Sequence, residues 1–389
     1  MRLKKNKGAI IIEGHVQGLA NLRSLGKAGI PVVVVDKNTC VAASSKYCQA
    51  FFQCPDYQTE AFIDFLINLA PNENLTDWVL IPSNDHAVYN ISKNLDKIKA
   101  VYKTTIPEID IIEQIYNKAN LLDLAQKISV PIPETYYFND TKQLDSDYLK
   151  FPLLTKGKTG LDFYKSLKQK AFVSYDIAEL KEHLNTIKQK VSLNLTFTQE
   201  LIPDDGNNKT ISLAAFCDQG EIKTYWMGVK LREHPIQFGT ATFTESVYVE
   251  DCLNHSKKLL KALNYTGVCE VEFLQDPRDG QYKLIEINAR TWLWVGHAID
   301  NGINFPLYIY QYLNEQDIKY PQVYKLGLKW RNPFSDLIFT SLSLFRGKTS
   351  ISKLSKENKG KIVSALWDKH DNKPFYKYAG LLLNFLKNR

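Results

Sequence analysis

The sequence predicts an α/β unit followed by α+β units, on three observations. Residues 8–105 alternate short apolar runs with helix-like segments, and residues 209–288 read as one strand after another. The chain, at 389 residues, is also too long for one ordinary core. In the first unit, "GAIIIEG" and the Val-rich "IPVVVVD" flank a helix expected from Leu19 to Ala28. "DWVLIPS" is a third strand, with a helix expected from Asp85 through Leu95. Strands alternating with helices make a parallel sheet, and such sheets hold ligands in the loops at the carboxyl ends of their strands. Those loops are Glu13–His15, Asp36–Lys37 and Pro82–Asp85, which makes Ser83 and Asp85 candidate contacts. A glycine turn after the first strand and Asp36 after the second imitate a dinucleotide fold. However, the turn reads G-H-V-Q-G-L-A instead of G-x-G-x-x-G.

After Ile106 the character changes. "EIDIIEQIYNKANLLDLAQKISV" reads as one helix, which the prolines of "PIPETYYF" end. Strands "FPLLTK" and "AFVSY" bracket a loop rich in Lys and Gly; the helix "DIAELKEHLNTIKQK" and the strand "SLNLTFTQELI" follow. Then come "KTISLAAFC", "EIKTYWMGVKL", "TATFTESV", "VCEVEFL" and "YKLIEIN" as strands, with a helix near residues 250–264. The "DPRDG" turn makes the last two an antiparallel hairpin. Four units are expected: 1–105, 106–190, 191–320 and an irregular appendix, 321–389.

Composition excludes several classes. A 44% hydrophobic and 23% charged chain is globular, not disordered. No run reaches the 18 or so apolar residues that span a bilayer, and the apolar stretch after the basic start is too short for a leader peptide. The net charge of +7 is scattered over many lysines without an aromatic-laced basic stripe, so nucleic acid is not an expected partner. Six cysteines without a CxxC pair fit reduced thiols and a cytoplasmic location. The basic tail ending in "YKYAGLLLNFLKNR" is expected to pack on the body and not on lipid.

The chemistry concentrates in "YKLIEINAR". Alternation puts Glu286, Asn288 and Arg290 on one strand face and Ile285, Ile287 and Ala289 on the other. Alone, this is the solvated side of a half-exposed strand. "VCEVEFL" adds Glu270 and Glu272 on one face of the neighbouring strand. Carboxylates so placed repel unless a cation lies among them. Hard divalent ions, magnesium above all, suit carboxylates plus an amide oxygen and leave positions for phosphate oxygens. Arg290 could meet charge developing on a transferred phosphoryl group. Upstream, "TQELIPDDG" offers Glu200 and then Asp204 and Asp205 at a strand end, and Lys118 and Lys156 lie near the ends of apolar segments. Lys230 and Arg232, at i and i+2, are expected on one face aimed at the acids. Taken singly, the acids read better as an exposed turn and each lysine as a surface charge, and solvated basic residues would look the same as Lys230 and Arg232.

Their order is more telling. Lys118, Lys156, Glu200 with Ile202, Lys230 with Arg232, Glu272, and then Glu286, Asn288 and Arg290 resemble the ATP-grasp superfamily of carboxylate–amine ligases. The resemblance covers about residues 8–315 and is nearest the carbamoyl-phosphate-synthetase-like and D-aspartate-ligase-like branch. It implies a Rossmann-like domain ahead of two α+β subdomains that grip ATP, and transfer of its terminal phosphoryl group to a carboxylate before an amine attacks. It further implies that Glu272, Glu286 and Asn288 hold Mg²⁺, or Mn²⁺ in its place, and that Lys118 and Lys156 hold phosphates. Glu200, Leu201 and Ile202 would form the adenine hinge, with Asp204 or Asp205 on the ribose. Arg290, Arg232 and Lys230 would act on the transferring group, and Gly157 and Gly160 would lie in a phosphate-covering loop. Two departures concern that loop: Gly157, not the family's frequent proline, follows Lys156, and the loop is rich in lysine instead of glycine. Small carboxylate and amine substrates are the implied partners, and a homodimer is compatible with them. Two other classes stay open on the residues alone, a non-catalytic ATP-binding protein and a dinucleotide-dependent oxidoreductase.

Overall fold

Four valines ahead of an acid, Val32–Asp36, form a strand buried on both faces, as β-branched runs do in a covered parallel sheet. The computed structural model describes residues 7–140, 144, 148–204, 208–234, 239–347 and 349–387, with backbone alone for 160–162, 234 and 383–387. The first unit runs β1 (Ala9–Ile12), α1 (Val16–Lys27), β2 (Val32–Asp36), β3 (Cys48–Gln53), α2 (Glu60–Asn72), β4 (Val79–Pro82), α3 (Asp85–Lys93) and α4 (Leu95–Lys99). Its strands are all parallel, in the order β3-β2-β1-β4. Ile10, Ile12, Val33 and Val35 share a core with α2 and α3, while Ala9, Ile11, Val32 and Val34 share another with α1. Strand β3 has no fully buried residue, which is why its pattern is weak in the sequence.

The next elements are α5 (Ile109–Tyr116), α6 (Lys118–Lys127), β5 (Thr135–Tyr136), β6 (Leu153–Gly157), α7 (Gly160–Leu167), β7 (Phe172–Ser174), α8 (Ile177–Lys188) and β8 (Thr196–Glu200). The single helix expected after Ile106 is two. Asn117, at φ −78° and ψ 99°, breaks it, and its side-chain oxygen accepts from the Ala119 and Asn120 N–H groups to cap α6. The strands pair antiparallel in the order β5-β8-β6-β7, so the chain does not leave this sheet at residue 190. This lobe has its own small core, including Leu153, Phe163, Leu180, Leu184 and Ile187. The expected phosphate-covering loop is mostly helix: after a turn at Lys158 and Thr159 the chain enters α7, and Phe163 plugs the lobe's core. A Cβ at Gly157 would lie 2.4 Å from Phe163 Cβ, so this close approach requires glycine.

The remaining chain forms β9 (Thr210–Asp218), β10 (Glu221–His234), β11 (Thr240–Ser246), α9 (Glu250–Ala262), β12 (Gly267–Gln275), β13 (Tyr282–Asn288), α10 (Val295–Asp300), α11 (Phe305–Leu313), β14 (Lys329–Arg331), α12 (Pro333–Phe345), α13 (Ile351–Glu357), β15 (Ile362–Ser364) and α14 (Lys373–Lys387). The sheet order is β13-β12-β9-β10-β11-β14-β15. Residues after 320 are therefore not irregular: β14 and β15 extend the main sheet, though at three residues each they are too short to show a period. Both faces of this sheet merge with the cores of the first unit. Leu213 and Val271 join the α2–α3 side, and Phe216 and Trp226 the α1 side. A further staple is Asp371, which accepts from Arg23 Nε at 2.9 Å, Ser45 Oγ at 2.6 Å and the Lys46 N–H at 2.9 Å. In α14, Phe375, Tyr378 and Leu381 pack on the body as expected, while the side chains from 383 onward lie outside the described residues. Among the described residues no helix is long and apolar enough to cross a membrane.

Candidate active site

The hairpin β12–β13 sets Glu272 directly opposite Glu286 and Glu270 opposite Asn288. Directly paired residues of an antiparallel ladder share a face, so four polar side chains converge. The β12 half of that face is not solvated, since Glu270 and Glu272 are both buried, while Glu286 and Asn288 are half-buried. Opposed carboxylates repel, and two lysines answer them. Lys118 Nζ donates to Glu286 Oε2 at 2.7 Å, and Lys230 Nζ donates to Glu272 Oε2 at 2.7 Å. Lys118 holds Glu286 below the ordinary carboxylate range, and Glu286 holds Lys118 above the ordinary lysine value. Burial disfavours the Lys230 ammonium, but Glu272 and Glu270 outweigh it and raise its pKa. Burial, and then the Glu272 charge, push Glu270 upward.

Glu270 accepts from Asn288 Nδ2 at 3.0 Å through Oε2, while its Oε1 is buried without a partner in hydrogen-bonding geometry. Two opposed carboxylates, an amide and an orphan acid oxygen fit a divalent ion shared with phosphate oxygens. They do not form an all-protein cage: among the described residues no group of three or more His, Cys, Asp or Glu could hold a metal by itself.

Capping by Asn117 puts Lys118 in the first turn of α6, where its N–H donates to Lys158 O at 2.9 Å. Lys156 stands on β6 opposite Phe197 of β8, with Nζ 5.8 Å from that ring. Burial and the neighbouring Lys118 lower its pKa to about 7, against the pull of Glu286. The lysines thus approach the β13 acid from the smaller lobe and from its connection to the first unit.

The loops of the parallel sheet meet the other end of β13. Arg290 forks onto Asp85 through Nε at 2.6 Å and Nη2 at 2.9 Å, and Nη2 also donates to Asn288 Oδ1 at 3.3 Å. Ser83 Oγ lies 3.1 Å from Thr291 Oγ1, so both strand-end residues picked from the sequence reach the motif. Glu13, at φ 72°, accepts from Asn84 Nδ2 and Gln17 Nε2, each at 2.8 Å, and burial raises its pKa. Asp36 is spent within the fold, accepting from the Gly14 N–H at 2.8 Å and the Asn38 N–H at 3.0 Å.

Three expectations need correction or stand apart. A β-bulge after Lys230 sets it opposite Thr244 and Arg232 opposite Phe243, consecutive residues that face opposite ways. Arg232 therefore does not accompany Lys230 to the acids. It forks onto Asp336, both bonds at 2.7 Å, bonds Glu357 at 2.5 Å and lies over the Phe243 ring. The Glu200 carboxylate is likewise engaged, by Lys283 at 2.9 Å, Arg278 at 2.8 Å and the Glu134 N–H at 3.1 Å, and its own N–H donates to Glu134 O at 2.8 Å. Of the hinge residues, Ile202 is buried and the Leu201 N–H donates to Pro152 O at 2.9 Å. Asp204 is exposed, and Asp205 lies outside the described residues. A cavity of about 580 Å³ lies behind the hinge among Glu134, Tyr137, Lys150, Arg278 and Lys283, and Glu200 alone of the candidate residues lines it.

The sequence alone did not single out Asp336, Glu357, Lys283 or Arg278. Only the placing of Arg278 and Lys283 about the hairpin turn carried a local signal.

Residues 235–304 match the family described as "Carbamoyl-phosphate synthase L chain, ATP binding domain". The fold is shared with biotin carboxylase from Campylobacter jejuni, at a TM-score of 0.65 and 16% identity over 83% of this chain and 74% of that one. It is shared too with N5-carboxyaminoimidazole synthetase from Staphylococcus aureus complexed with ADP, at 0.64 and 15% over 84% and 81%. The chain thus has the ATP-grasp fold, and the family match falls within its larger lobe. Within that class it is similar to the D-aspartate ligase of Enterococcus faecium, 22% identical over 262 residues, a match spanning 64% of this chain and 62% of that relative. The L-amino acid ligase from Bacillus licheniformis is similar in fold, at a TM-score of 0.60 and 17% identity over 80% of this chain and 75% of that one.

Proposed function

We propose that the protein is an ATP-dependent carboxylate–amine ligase that forms ADP. The observation that carries this reading is the opposed Glu272–Glu286 pair, met by Lys118 and Lys230 and flanked by Asn288 and the Arg290–Asp85 fork. Lys118 and Lys156 bind phosphates, the main chain of Glu200–Ile202 holds the adenine edge, and Asp204 or Asp205 meets the ribose. Glu272, Glu286 and Asn288 would hold magnesium, or manganese in its place. When bound, the ion supplies charge neutralisation on the nucleotide phosphates.

A substrate carboxylate oxygen attacks the γ-phosphorus, and the bond from that phosphorus to the bridging oxygen breaks, releasing ADP. The amine nitrogen then attacks the acyl carbon, and phosphate leaves as the C–N bond forms and the nitrogen loses its proton. Such chemistry depends on positioning and charge neutralisation more than on a covalent side chain. Arg290 and Lys230 stabilise the transferring group, and Arg232 is left to a structural role.

The substrates are small molecules, and amino acids come first because two similar proteins are named for ligating them. A dinucleotide-dependent reaction is disfavoured by Asp36, whose carboxylate is spent on the turn it would have to leave. The test is a screen of amino acids of both configurations and small peptides, scored for nucleotide product with hydroxylamine as a trap. ADP with a hydroxamate is the expected result. AMP and pyrophosphate would refute the mechanism, and ATP bound tightly with no turnover on any substrate would favour a binding protein.

A further inference from the structure

Helix α12 is built inside out. Asp336 is its only charged residue and also its only buried one. Leu337, Leu342, Leu344 and Phe345 are exposed, Phe345 at 91%, and α13 opens with Ile351 at 77%. An exposed patch of this kind marks a contact surface, because a helix apolar all round is otherwise buried.

The charge beside it is equally lopsided. Residues 346–389 hold eleven Lys and Arg against three Asp and Glu, a net of +8 that exceeds the +7 of the whole chain. Residues 1–345 are therefore net −1. The three acids are spent inward, Glu357 on Arg232, Asp368 on Lys27 and Asp371 on Arg23. Arg346, Lys353, Lys356, Lys359 and Lys361 are exposed, with no ion pair among the described residues.

We propose that the α12–α13 end of the C-terminal lobe docks on an anionic bilayer surface. Leu342, Phe345 and Ile351 enter the headgroup–acyl boundary, and the flanking lysines meet lipid phosphates. Charge complementarity selects this occupant. A second copy of the chain would bring the same excess of positive charge to the contact, whereas an anionic membrane supplies both an apolar interior and the opposite charge. The inference does not rest on the ligase reading.

The test is co-sedimentation of the full chain with phosphatidylcholine vesicles, with and without phosphatidylserine. Binding is expected to the anionic vesicles alone, falling at least about tenfold as salt rises from about 0.05 to about 0.5 M. Leu342→Ser with Phe345→Ser should weaken it at least about tenfold, as should Lys353→Glu with Lys356→Glu, with thermal midpoints unchanged because these side chains are exposed. Deleting residues 381–389 should leave it intact. No binding to anionic vesicles, or equal binding to neutral ones, would overturn the proposal. So would indifference to the Leu342 and Phe345 changes, or a dimer in light scattering that those changes disperse.

Discussion

Glu286→Gln keeps the side chain's size and removes its charge, so two losses of different size follow. The first is structural. Lys118 Nζ, 2.7 Å from Glu286, keeps an amide oxygen but loses its counter-ion. Breaking a fully buried pair costs ~3–5 kcal/mol. Here the lysine and glutamate side chains are 28% and 32% exposed, so solvent screens the loss to ~1–2 kcal/mol. The second loss is catalytic. Glu286 faces Glu272 across the ladder, and removing one of only two opposed carboxylates should cost about a thousandfold in turnover, ~4 kcal/mol. A thermal melt reads the first, and ADP release at saturating magnesium reads the second. The variant should melt a few degrees lower and still be folded at assay temperature, while turnover falls by orders of magnitude. A folded Glu286→Gln protein turning over near the wild-type rate would refute the metal assignment. So would a rate loss explained by the unfolded fraction.

Lys156→Ala should weaken ATP far more than adenosine in calorimetry, and equal losses would move that lysine out of the phosphate site. Its pKa of about 7 has a sign to check. Between about 7 and the ordinary lysine value the folded state binds fewer protons than the unfolded, so Lys156 makes stability rise with pH there, while ATP, which needs the ammonium, should bind up to about tenfold more weakly per pH unit above 7. Arg232→Ala leaves buried Asp336 without its fork and should cost roughly 3 kcal/mol in denaturant unfolding. Nucleotide affinity of the folded protein should be unchanged, and a fall would return Arg232 to the site. Asp85→Asn frees Arg290 from the partner that holds it, so carboxylate KM or kcat should change roughly tenfold or more at constant ATP affinity. An effect on ATP alone would break the link between the first unit and the acyl site.

What the sequence determined by itself was whatever rests on local period and residue type. Four valines in a row and the alternation of "EINAR" specify buried and two-faced strands through backbone geometry alone, and "DPRDG" joins β12 to β13 with little freedom left. Glu272, Glu286 and Asn288 were legible for that reason: a two-residue spacing on paired strands guarantees a shared face.

Tertiary structure decided the rest. Alternation cannot foresee the bulge after Lys230, which turned Arg232 to Asp336, more than a hundred positions away. Nor can any local pattern show that Glu200 would be drawn to Lys283 and Arg278, or that Asp85 would meet Arg290. Strands of three residues such as β14 and β15 exist only because a neighbouring edge supplies their hydrogen bonds. Charges choose partners by distance in space, and that distance is fixed only when cores from remote segments close on one another.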